Sequence, residues 1–288
     1  MREYRFFAPV SMAELFDVAA QSDVEVKFLA GGTDLVPRIN AERDQIPYET
    51  KAPMALVSLE KLGLSGICED GDAIVIGAMT RIVEIQDSCL LREKAKALCA
   101  ACDNLAGFAI RNTATLGGNV MNASPAADTV PALLALDAEA LLESKAGKRA
   151  VKLADFMTGP GKTAIEKGEV LTAIKIYPGS GMSGFAKLGR RAAESLSVVN
   201  AAAYVEVADG VCTKARVAVG SAAPTAKVCE AAAAELIGKA LTEENVKAAM
   251  AKVNEVLSPI DDIRATAWYR LETAPVMAAR AVLTAAEV

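Results

Sequence analysis

Apolar positions in the first 178 residues recur in short runs of strand length, separated by stretches with helical spacing. The strands predicted from these runs are 24–29, 55–59, 73–78, 139–143, 151–153 and 170–177. Ser11 and Glu14 form a capping box, which predicts a helix that runs to about residue 21. Further helices are predicted at 35–40, at 81–86 with Thr80 as the cap, from Ser88 through the helical stretch 91–105, and at 131–136. Residues 44–53, which contain two prolines, are predicted to be a connector.

The pattern changes after the break at residues 178–181 (PGSG), which we take as the domain boundary. The strands predicted beyond it are 184–191, 198–208 and 211–222. The Asp209-Gly210 pair between the last two is typical of a tight hairpin. The helices predicted next are 227–236, ended by Gly238; 243–257, capped by Thr242; and 263–286, which Pro275 is expected to kink. An antiparallel meander covered by helices predicts an α+β arrangement.

Composition excludes several classes of protein. The chain has 288 residues, which is room for about two domains. Its net charge of −5 argues against general nucleic-acid binding, which usually needs a basic surface. No uninterrupted apolar run of about 18 residues predicts a membrane span, and the N-terminus is too charged for a secretory signal. We therefore expect a cytoplasmic location.

Histidine is absent from the sequence. This excludes Ser–His and Cys–His nucleophilic machinery, so any redox chemistry needs a bound cofactor. Cys99 and Cys102 have C-x-x-C spacing, but they lie in a strongly helical stretch. Buried free thiols are the favoured interpretation, with a metal or redox pair as the alternative. Further ligands for a metal are not found in the sequence, so no metal is predicted.

Two double-glycine loops are the strongest chemical signal. The first glycine loop, residues 30–34 (AGGTD), follows the strand 24–29, and the second glycine loop is residues 115–119 (TLGGN). Glycine lets backbone N–H groups approach a ligand closely, and such groups offset the charge of a dinucleotide pyrophosphate. Thr33 and Thr115 can add hydroxyl donors. The G-x-G-x-x-G fingerprint of a one-domain site is missing, and two simple tight turns remain the alternative from spacing alone.

The flanks of the second glycine loop carry a family resemblance. Residues 110–119 (IRNTATLGGN) and 123–128 (ASPAAD) closely resemble the flavin subunits of the xanthine dehydrogenase family, the molybdenum hydroxylases. Residues 28–35 (FLAGGTDL) match the other flavin loop of that family. Further matching segments are 76–80, 168–172, 185–191 and 219–225. The resemblance covers nearly the whole chain.

The resemblance implies an α+β fold. Residues 1–178 would be an FAD-binding domain of the vanillyl-alcohol-oxidase (PCMH) type, with two α/β subdomains at about 1–54 and 55–178. Residues 179–288 would be a carbon monoxide dehydrogenase flavoprotein-like domain with three antiparallel strands and three helices. The FAD contacts that the resemblance implies are Leu29, Ala30, Gly31, Gly32, Thr33, Asp34, Leu35, Leu105, Ile110, Thr115, Leu116, Gly117, Gly118, Asn119, Asp128, Leu171 and Lys187.

These residues divide into a pyrophosphate end and a ring end. The two glycine loops would wrap the pyrophosphate. Ile110 would lie against the flavin or its ribityl chain, with Leu105 nearby. Asp128 would sit close to the isoalloxazine ring, which Leu171 and Lys187 would also line. A lysine at the N1–C2=O edge would favour the anionic reduced flavin.

The sequence departs from the family at Ser195, where carbon monoxide dehydrogenase-type subunits carry a tyrosine over the flavin. The ring would then be more open, or Val198 or a partner residue would shield it. Residues 189–197 correspond to a loop that influences access of NAD in xanthine dehydrogenases. Arg190 and Arg191 would attract the NAD phosphates and Glu194 would oppose this; a solvated turn is the equal alternative. An insertion that would hold an extra iron–sulfur cluster is not found before Val170.

The resemblance therefore implies an FAD-binding electron-transfer subunit, an oxidoreductase component of a heteromeric molybdenum hydroxylase complex. Its partners would be a molybdopterin-binding large subunit and a small subunit with 2Fe-2S clusters. NAD⁺ is the expected acceptor, with ferredoxin or a quinone left open. An obligate complex also predicts exposed apolar surface on the isolated chain. The alternatives are a stand-alone flavin-dependent oxidoreductase and a non-catalytic nucleotide-binding protein.

Overall fold

The computed structural model describes residues 3–20, 24–43 and 52–287. The chain begins with a parallel three-stranded sheet in the order β1-β3-β2. Its elements are β1 (Tyr4–Phe7), α1 (Met12–Ala19), β2 (Glu25–Leu29), α2 (Leu35–Arg43) and β3 (Met54–Ser58). The sheet therefore extends a few residues past the subdomain boundary predicted near residue 54. Of the predicted connector, residues 44–51 lie outside the described part of the chain.

The predicted cap of α1 is present with one difference. Ser11 Oγ accepts a hydrogen bond from the Glu14 N–H at 3.2 Å. The Glu14 carboxylate, however, accepts from the Val10 N–H at 2.9 Å rather than from Ser11. The helix then places Leu15 and Phe16 in a small apolar core under the parallel sheet.

An antiparallel five-stranded sheet follows, in the order β4-β5-β10-β6-β7. The strands after β3 are β4 (Ile67–Asp70), β5 (Ala73–Gly77), β6 (Glu139–Ser144), β7 (Gly147–Lys152), β8 (Met157–Gly159), β9 (Lys162–Thr163) and β10 (Val170–Ile176). The helices are α3 (Ile82–Asp87), α4 (Cys89–Lys94), α5 (Lys96–Asp103), α6 (Phe108–Arg111), α7 (Leu116–Met121), α8 (Thr129–Ala135) and α9 (Leu153–Phe156). The strands β8 and β9 form a separate two-stranded ribbon.

Two predictions for these helices are wrong. Thr80 does not cap α3; its hydroxyl oxygen accepts from the Gly66 N–H at 2.9 Å and its hydroxyl donates to the Gly66 carbonyl at 3.0 Å. The residue before α3 is Arg81, whose N–H donates to Glu84 at 2.7 Å. The long helix predicted after Ser88 is two helices, since the backbone of Ala95 leaves the helical region with φ −140° and ψ 49°.

The last third of the chain contains a four-stranded antiparallel sheet in the order β11-β12-β13-β14. Its elements are β11 (Met182–Gly189), β12 (Ser197–Ala208), β13 (Val211–Gly220), β14 (Lys227–Val228), α10 (Glu230–Ala234), α11 (Glu243–Met250), a 3₁₀ helix (Ala251–Val256) and α12 (Ala267–Ala286). Asp209 and Gly210 have φ of 51° and 78°, as the tight hairpin requires. The short β14 occupies the place where the sequence predicts the start of a helix at 227.

This four-stranded sheet is covered on both faces, which explains its alanine content. Along β12, Ala202 and Tyr204 pack into the same core as the five-stranded sheet, whereas Ala201 and Ala203 pack into a second core under α12. On the α12 side, a Cβ on Gly184 would lie 2.6 Å from the Ala285 nitrogen. Small side chains therefore let helices approach both faces closely. The core of the five-stranded sheet consequently continues onto one face of the four-stranded sheet, and the core under α12 is separate from it.

Candidate functional site

The two glycine loops lie against each other. A Cβ added to Gly31 would overlap the Thr113 carbonyl oxygen and lie 2.8 Å from the carbonyl carbon. On the other side, a Cβ on Gly118 would lie 3.8 Å from the Ala30 Cβ. Segments that are about eighty residues apart in sequence therefore lie side by side. Gly31 has to be glycine because the backbone of Thr113, two residues before the second glycine loop, fills the space that a side chain needs.

The first glycine loop presents hydrogen-bond donors. It connects β2 to the nine-residue helix α2, and Gly32 turns the chain with φ of +70°. Within the described residues, the N–H groups of Gly31, Gly32 and Thr33 have no hydrogen-bond acceptor. These residues are also only partly buried. Unpaired N–H groups at the start of a helix are well suited to an anionic group such as a phosphate.

The second glycine loop differs, because its N–H groups are already bound. The Leu116 N–H donates to Thr80 O at 3.0 Å, and the Gly117 N–H donates to Ala78 O at 2.8 Å. The Gly118 N–H donates to Thr115 Oγ1 at 3.1 Å, which makes Thr115 the cap of α7. The sequence predicts N–H groups directed outward from both loops, and for residues 116–118 this is wrong. This loop therefore offers a fixed backbone surface rather than free donors. The Thr115 hydroxyl oxygen already accepts a hydrogen bond from the first turn of α7.

Arg38 joins the two loops, and sequence reasoning missed it. Its guanidinium lies one turn into α2 and forms an ion pair with Asp34, with Nε 2.8 Å from Oδ2. Nη2 of the same group also donates to Asn122 Oδ1, at 3.0 Å, at the end of α7. Close by, Asn119 is fixed by the Thr129 hydroxyl, which donates to Oδ1 at 2.6 Å. The four-residue spacing of Asp34 and Arg38 was the available signal for the first contact.

Asp128 and Lys187 meet in a buried network. Lys187 Nζ lies 2.7 Å from Asp128 Oδ2, and the two side chains are 7% and 8% exposed. The Ser197 hydroxyl and the Asn200 amide both donate to Asp128 Oδ1, at 2.5 and 2.9 Å. Lys187 also donates to the Asn104 carbonyl at 2.8 Å. The structure thus brings together two predicted site residues from distant segments and adds Ser197 and Asn200, which the sequence did not indicate.

A surface pocket of about 340 Å³ lies beside Lys187. Its lining residues are Asn104, Lys187, Leu188, Gly189, Arg191, Ala192, Ala193, Glu194 and Ser195. Ser195 does not extend across it, since its hydroxyl donates to the Arg191 carbonyl at 3.2 Å. Ser195 therefore does not close the pocket, which lies next to one buried ammonium group.

The two arginines of this loop hold it in place. The Arg191 guanidinium donates to the carbonyls of Ala193, at 3.0 Å, and Glu194. Arg190 Nη1 donates to the Ile263 carbonyl at 3.1 Å. Glu194 has φ of +51°, and its side chain covers Gly107, where a Cβ would lie 3.1 Å from Glu194 Cδ. Both arginines are thus exposed and hydrogen bonded to backbone carbonyls.

The predicted apolar contacts fall into two groups. Leu105 and Leu171 are buried in the main core, whereas Ile110 is 39% exposed. Leu171 precedes an irregularity in the pairing of β10 with β6, at Thr172. The Thr172 carbonyl accepts from the Ala78 N–H at 2.9 Å, and the Ala78 carbonyl accepts from Gly117. Leu171 is therefore connected to the second glycine loop through the backbone of Ala78.

The two cysteines with C-x-x-C spacing are buried free thiols in α5, as the favoured interpretation predicted. Burial raises the pKa of Cys99 to about 11, and it raises the pKa of Cys102 well above its ordinary value. Cys99 donates to the Ile85 carbonyl at 3.4 Å. Within residues 3–20, 24–43 and 52–287, the acidic and cysteine side chains form no group able to hold a metal ion.

The residues present fit a dinucleotide cofactor. Unpaired N–H groups of the first glycine loop suit the pyrophosphate of such a cofactor. The internally hydrogen-bonded second glycine loop provides a surface against which the pyrophosphate can lie. The buried Lys187–Asp128 pair and the pocket beside it provide a polar site near the apolar Leu105 and Ile110. In the described part of the chain, none of the helices has the length and apolar character needed to cross a bilayer.

Comparison with known families covers most of the chain. Residues 2–178 match the FAD binding domain in molybdopterin dehydrogenase, and residues 184–285 match the CO dehydrogenase flavoprotein C-terminal domain. The chain is 32% identical to the nicotinate dehydrogenase FAD-subunit of Eubacterium barkeri, over 95% of this chain and 93% of that protein. It is 30% identical to the xanthine dehydrogenase FAD-binding subunit of Escherichia coli O157:H7, over 94% and 92% of the two chains.

Solved structures give the same result. A chain of Cu,Mo-CO dehydrogenase in its cyanide-inactivated form superposes with a TM-score of 0.90 at 31% identity, covering 99% of this chain and 98% of that one. A chain of quinoline 2-oxidoreductase from Pseudomonas putida 86 superposes with a TM-score of 0.88 at 30% identity, covering 100% and 97%. The relatives are subunits of dehydrogenases, which are oxidoreductases.

Proposed function

The chain belongs to the family of FAD-binding medium subunits of xanthine dehydrogenase- and carbon monoxide dehydrogenase-type enzymes, and from this we propose that it transfers electrons within a molybdenum hydroxylase complex. The observation that supports the proposal is the close approach of Gly31 to Thr113 and of Gly118 to Ala30, which brings the two glycine loops side by side. We propose that residues 1–178 bind the cofactor and that residues 179–288 complete the site.

The cofactor would lie across the junction of the two loops. The pyrophosphate would accept hydrogen bonds from the N–H groups of Gly31, Gly32 and Thr33, while the second loop holds its other side. The ring would lie toward Asp128 and Lys187, with Ile110, Leu105 and Leu171 as apolar neighbours. All the FAD contacts named from the sequence stay in this proposal. In the complex, bound FAD supplies the exchange between single-electron and two-electron transfer.

We propose that residues of this chain orient the flavin ring and leave it accessible to an acceptor. Lys187 is held by Asp128 and the Asn104 carbonyl, so its ammonium group stays at one place beside the pocket. Because Ser195 is hydrogen bonded within its own loop, it leaves this pocket open. We propose NAD⁺ as the acceptor that enters here. Arg190 and Arg191 would add positive potential for its phosphates, although both also hold the loop together.

Exposed apolar side chains around the same loop support an obligate complex. Phe108 follows Gly107, which the Glu194 side chain covers. Leu196 is the last residue before β12. The Ile263 carbonyl accepts a hydrogen bond from Arg190. The exposed fractions of Phe108, Leu196 and Ile263 are 72%, 64% and 92%. We propose that a subunit with 2Fe-2S clusters docks on this surface, next to a molybdopterin-binding subunit, and that the complex is cytoplasmic.

The test is purification of the full chain refolded with FAD, followed by desalting. Retention of yellow flavin near one equivalent, with no binding of ATP in a parallel titration, is expected. A colourless chain that never retains flavin would contradict the proposal. Addition of small reductants without partner subunits separates the alternative, because rapid flavin reduction by such substrates alone would favour a stand-alone oxidoreductase.

A further inference from the structure

Arg270 is the largest fully buried side chain in the described structure, and it lies far in sequence from the glycine loops. It belongs to the second turn of α12 and is 2% exposed. A buried guanidinium is costly unless its donors are satisfied. The contacts of Arg270 therefore show what this charge holds in place.

The guanidinium joins the ends of two strands. Nη1 donates to the Val198 carbonyl at 2.6 Å and to the Ser221 carbonyl at 2.7 Å. Val198 lies at the start of β12, and Ser221 follows β13 with φ of +64°. Nη2 donates to Asp262 Oδ1 at 2.7 Å. Arg270 thus fixes the spacing of these two strand ends.

The same two strand ends hold the segment that carries Asp128. Ser197, next to Val198, donates its hydroxyl to Asp128 at 2.5 Å. The Ser221 N–H donates to the Pro125 carbonyl at 2.9 Å. A displacement of either strand end would therefore move Asp128, and with it the Lys187 ammonium that Asp128 holds.

Asp262 is organised to keep its charge beside Arg270. Burial acts to raise the pKa of Asp262, but hydrogen bonds from the Arg264 guanidinium and from the N–H groups of Arg264 and Ala265 lower it far below the ordinary range. The carboxylate is therefore ionised at neutral pH. The carbonyl of the next residue, Ile263, accepts the hydrogen bond from Arg190. The same turn therefore also contacts the loop of residues 189–197, which lines the pocket.

We propose that Arg270, supported by Asp262, is a positioning residue that sets the Asp128–Lys187 pair through Ser197 and Ser221. The proposal rests on the function proposed above, since the pair is taken to border the bound flavin. A purely structural arginine would stabilise the fold without affecting the flavin. Arg270 is expected to affect both, through a defined chain of contacts.

The test is a double-mutant cycle on the full chain loaded with FAD. Arg270→Lys keeps the charge but replaces the planar guanidinium, whose two Nη atoms reach separate acceptors, by a single nitrogen. Ser197→Ala removes the next contact. Each substitution is expected to raise the FAD Kd by about tenfold and to alter the visible circular dichroism of the flavin. The double variant should bind no more weakly than the weaker single variant, because both act through Asp128.

Arg216→Lys is the control, since Arg216 Nη1 pairs with Asp137 at 2.6 Å, at the opposite end of α8 from Asp128. It should leave the FAD Kd and the flavin spectrum unchanged. Its effect on the FAD Kd should combine multiplicatively with that of Ser197→Ala. If Arg270→Lys does not fold, Asp262→Asn is measured by the same criteria.

Two results would overturn the inference. One is a lower Tm of the Arg270 or Asp262 variant with the FAD Kd and flavin circular dichroism of the wild type. The other is a double variant whose effects simply multiply. A wild-type chain that binds no FAD would instead remove the proposed function itself, and this inference with it. Retention of FAD by the wild type therefore separates the two failures.

Discussion

The Asp128 carboxylate and the Lys187 ammonium group form an ion pair of 2.7 Å at the junction of the two parts of the chain. Asp128 precedes α8, and Lys187 lies on β11. Asp128 keeps two further donors, Ser197 and Asn200, whereas Lys187 has one further acceptor, the Asn104 carbonyl. The pair is therefore a connection within the fold, and it lies at the proposed ring end of the site.

Removal of the lysine should show its contribution to stability. Lys187→Met leaves the Asp128 charge buried without its cation, and we expect the free energy of unfolding to fall by about 3 kcal/mol. Asp128→Asn in the same chain removes the remaining charge, so the double variant should recover part of that loss. Urea denaturation of the apo chain measures both. The surface variant Lys247→Met is the control and should be close to wild type; a similarly stable Lys187→Met chain would contradict the prediction.

Gly31→Ala should disturb the junction of the two glycine loops. The added Cβ overlaps the Thr113 carbonyl, and overpacking of this kind costs about 1–3 kcal/mol. Separation of the loops should also raise the FAD Kd, measured by flavin fluorescence quenching. Gly159→Ala is the matched control, because a Cβ there would be 4.0 Å from the nearest atom. Equal FAD affinity in both variants would show that the contact is not needed for binding.

The ion pair of Glu169 with Arg149 gives a pH-dependent contribution to stability. The Arg149 guanidinium donates to both Glu169 oxygens, at 2.5 and 2.8 Å, and this holds the pKa of Glu169 below its ordinary value. A lowered pKa in the folded state means stability that is complete above the unfolded pKa and is lost as the pH falls through the folded value.

We therefore expect Glu169→Gln to be less stable than the wild type at neutral pH. The difference should shrink as the pH falls below about 4.3, the ordinary pKa of glutamate. Thermal unfolding of the two chains between neutral and acid pH measures this. A difference in unfolding free energy that grows on acidification would have the wrong sign for this mechanism.

Thiol reactivity should divide the six cysteines. Cys68 and Cys89 are exposed, whereas the other four are buried. Burial raises the pKa of Cys99 to about 11 and that of Cys229 to about 12, so few thiolates exist at mild pH. Iodoacetamide at pH 8 should modify only the two exposed cysteines in the native chain and all of them after denaturation. Intact mass and peptide mapping check this; rapid modification of Cys102 in the native chain would contradict it.

Local signals predicted the elements whose causes are local. The Asp209-Gly210 hairpin, the Thr242 cap of α11 and the Ser88 cap of α4 all depend on residues within four positions of each other. The sequence pattern also predicted the antiparallel meander. Its short fourth strand, Lys227–Val228, was missed because two residues carry no periodicity and depend on pairing with β13.

Errors arose where distant residues decide the structure. Thr80 has the side chain of a helix cap, but its hydroxyl is used by Gly66, fourteen residues away. Similarly, the N–H groups of residues 116–118 were expected to face a ligand, although Ala78 and Thr80 accept two of them. Arg270 and Ser197 gave no sequence signal, because their importance depends on contacts across more than forty residues. Conformational preference and motif spacing contain no information of that range.

The braced second glycine loop has a further consequence. Because Leu116, Gly117 and Gly118 satisfy their donors internally, this wall of the site keeps its form without a nucleotide. Little conformational freedom is then lost in this loop when a cofactor binds. The loop contributes to specificity through its shape rather than through new hydrogen bonds.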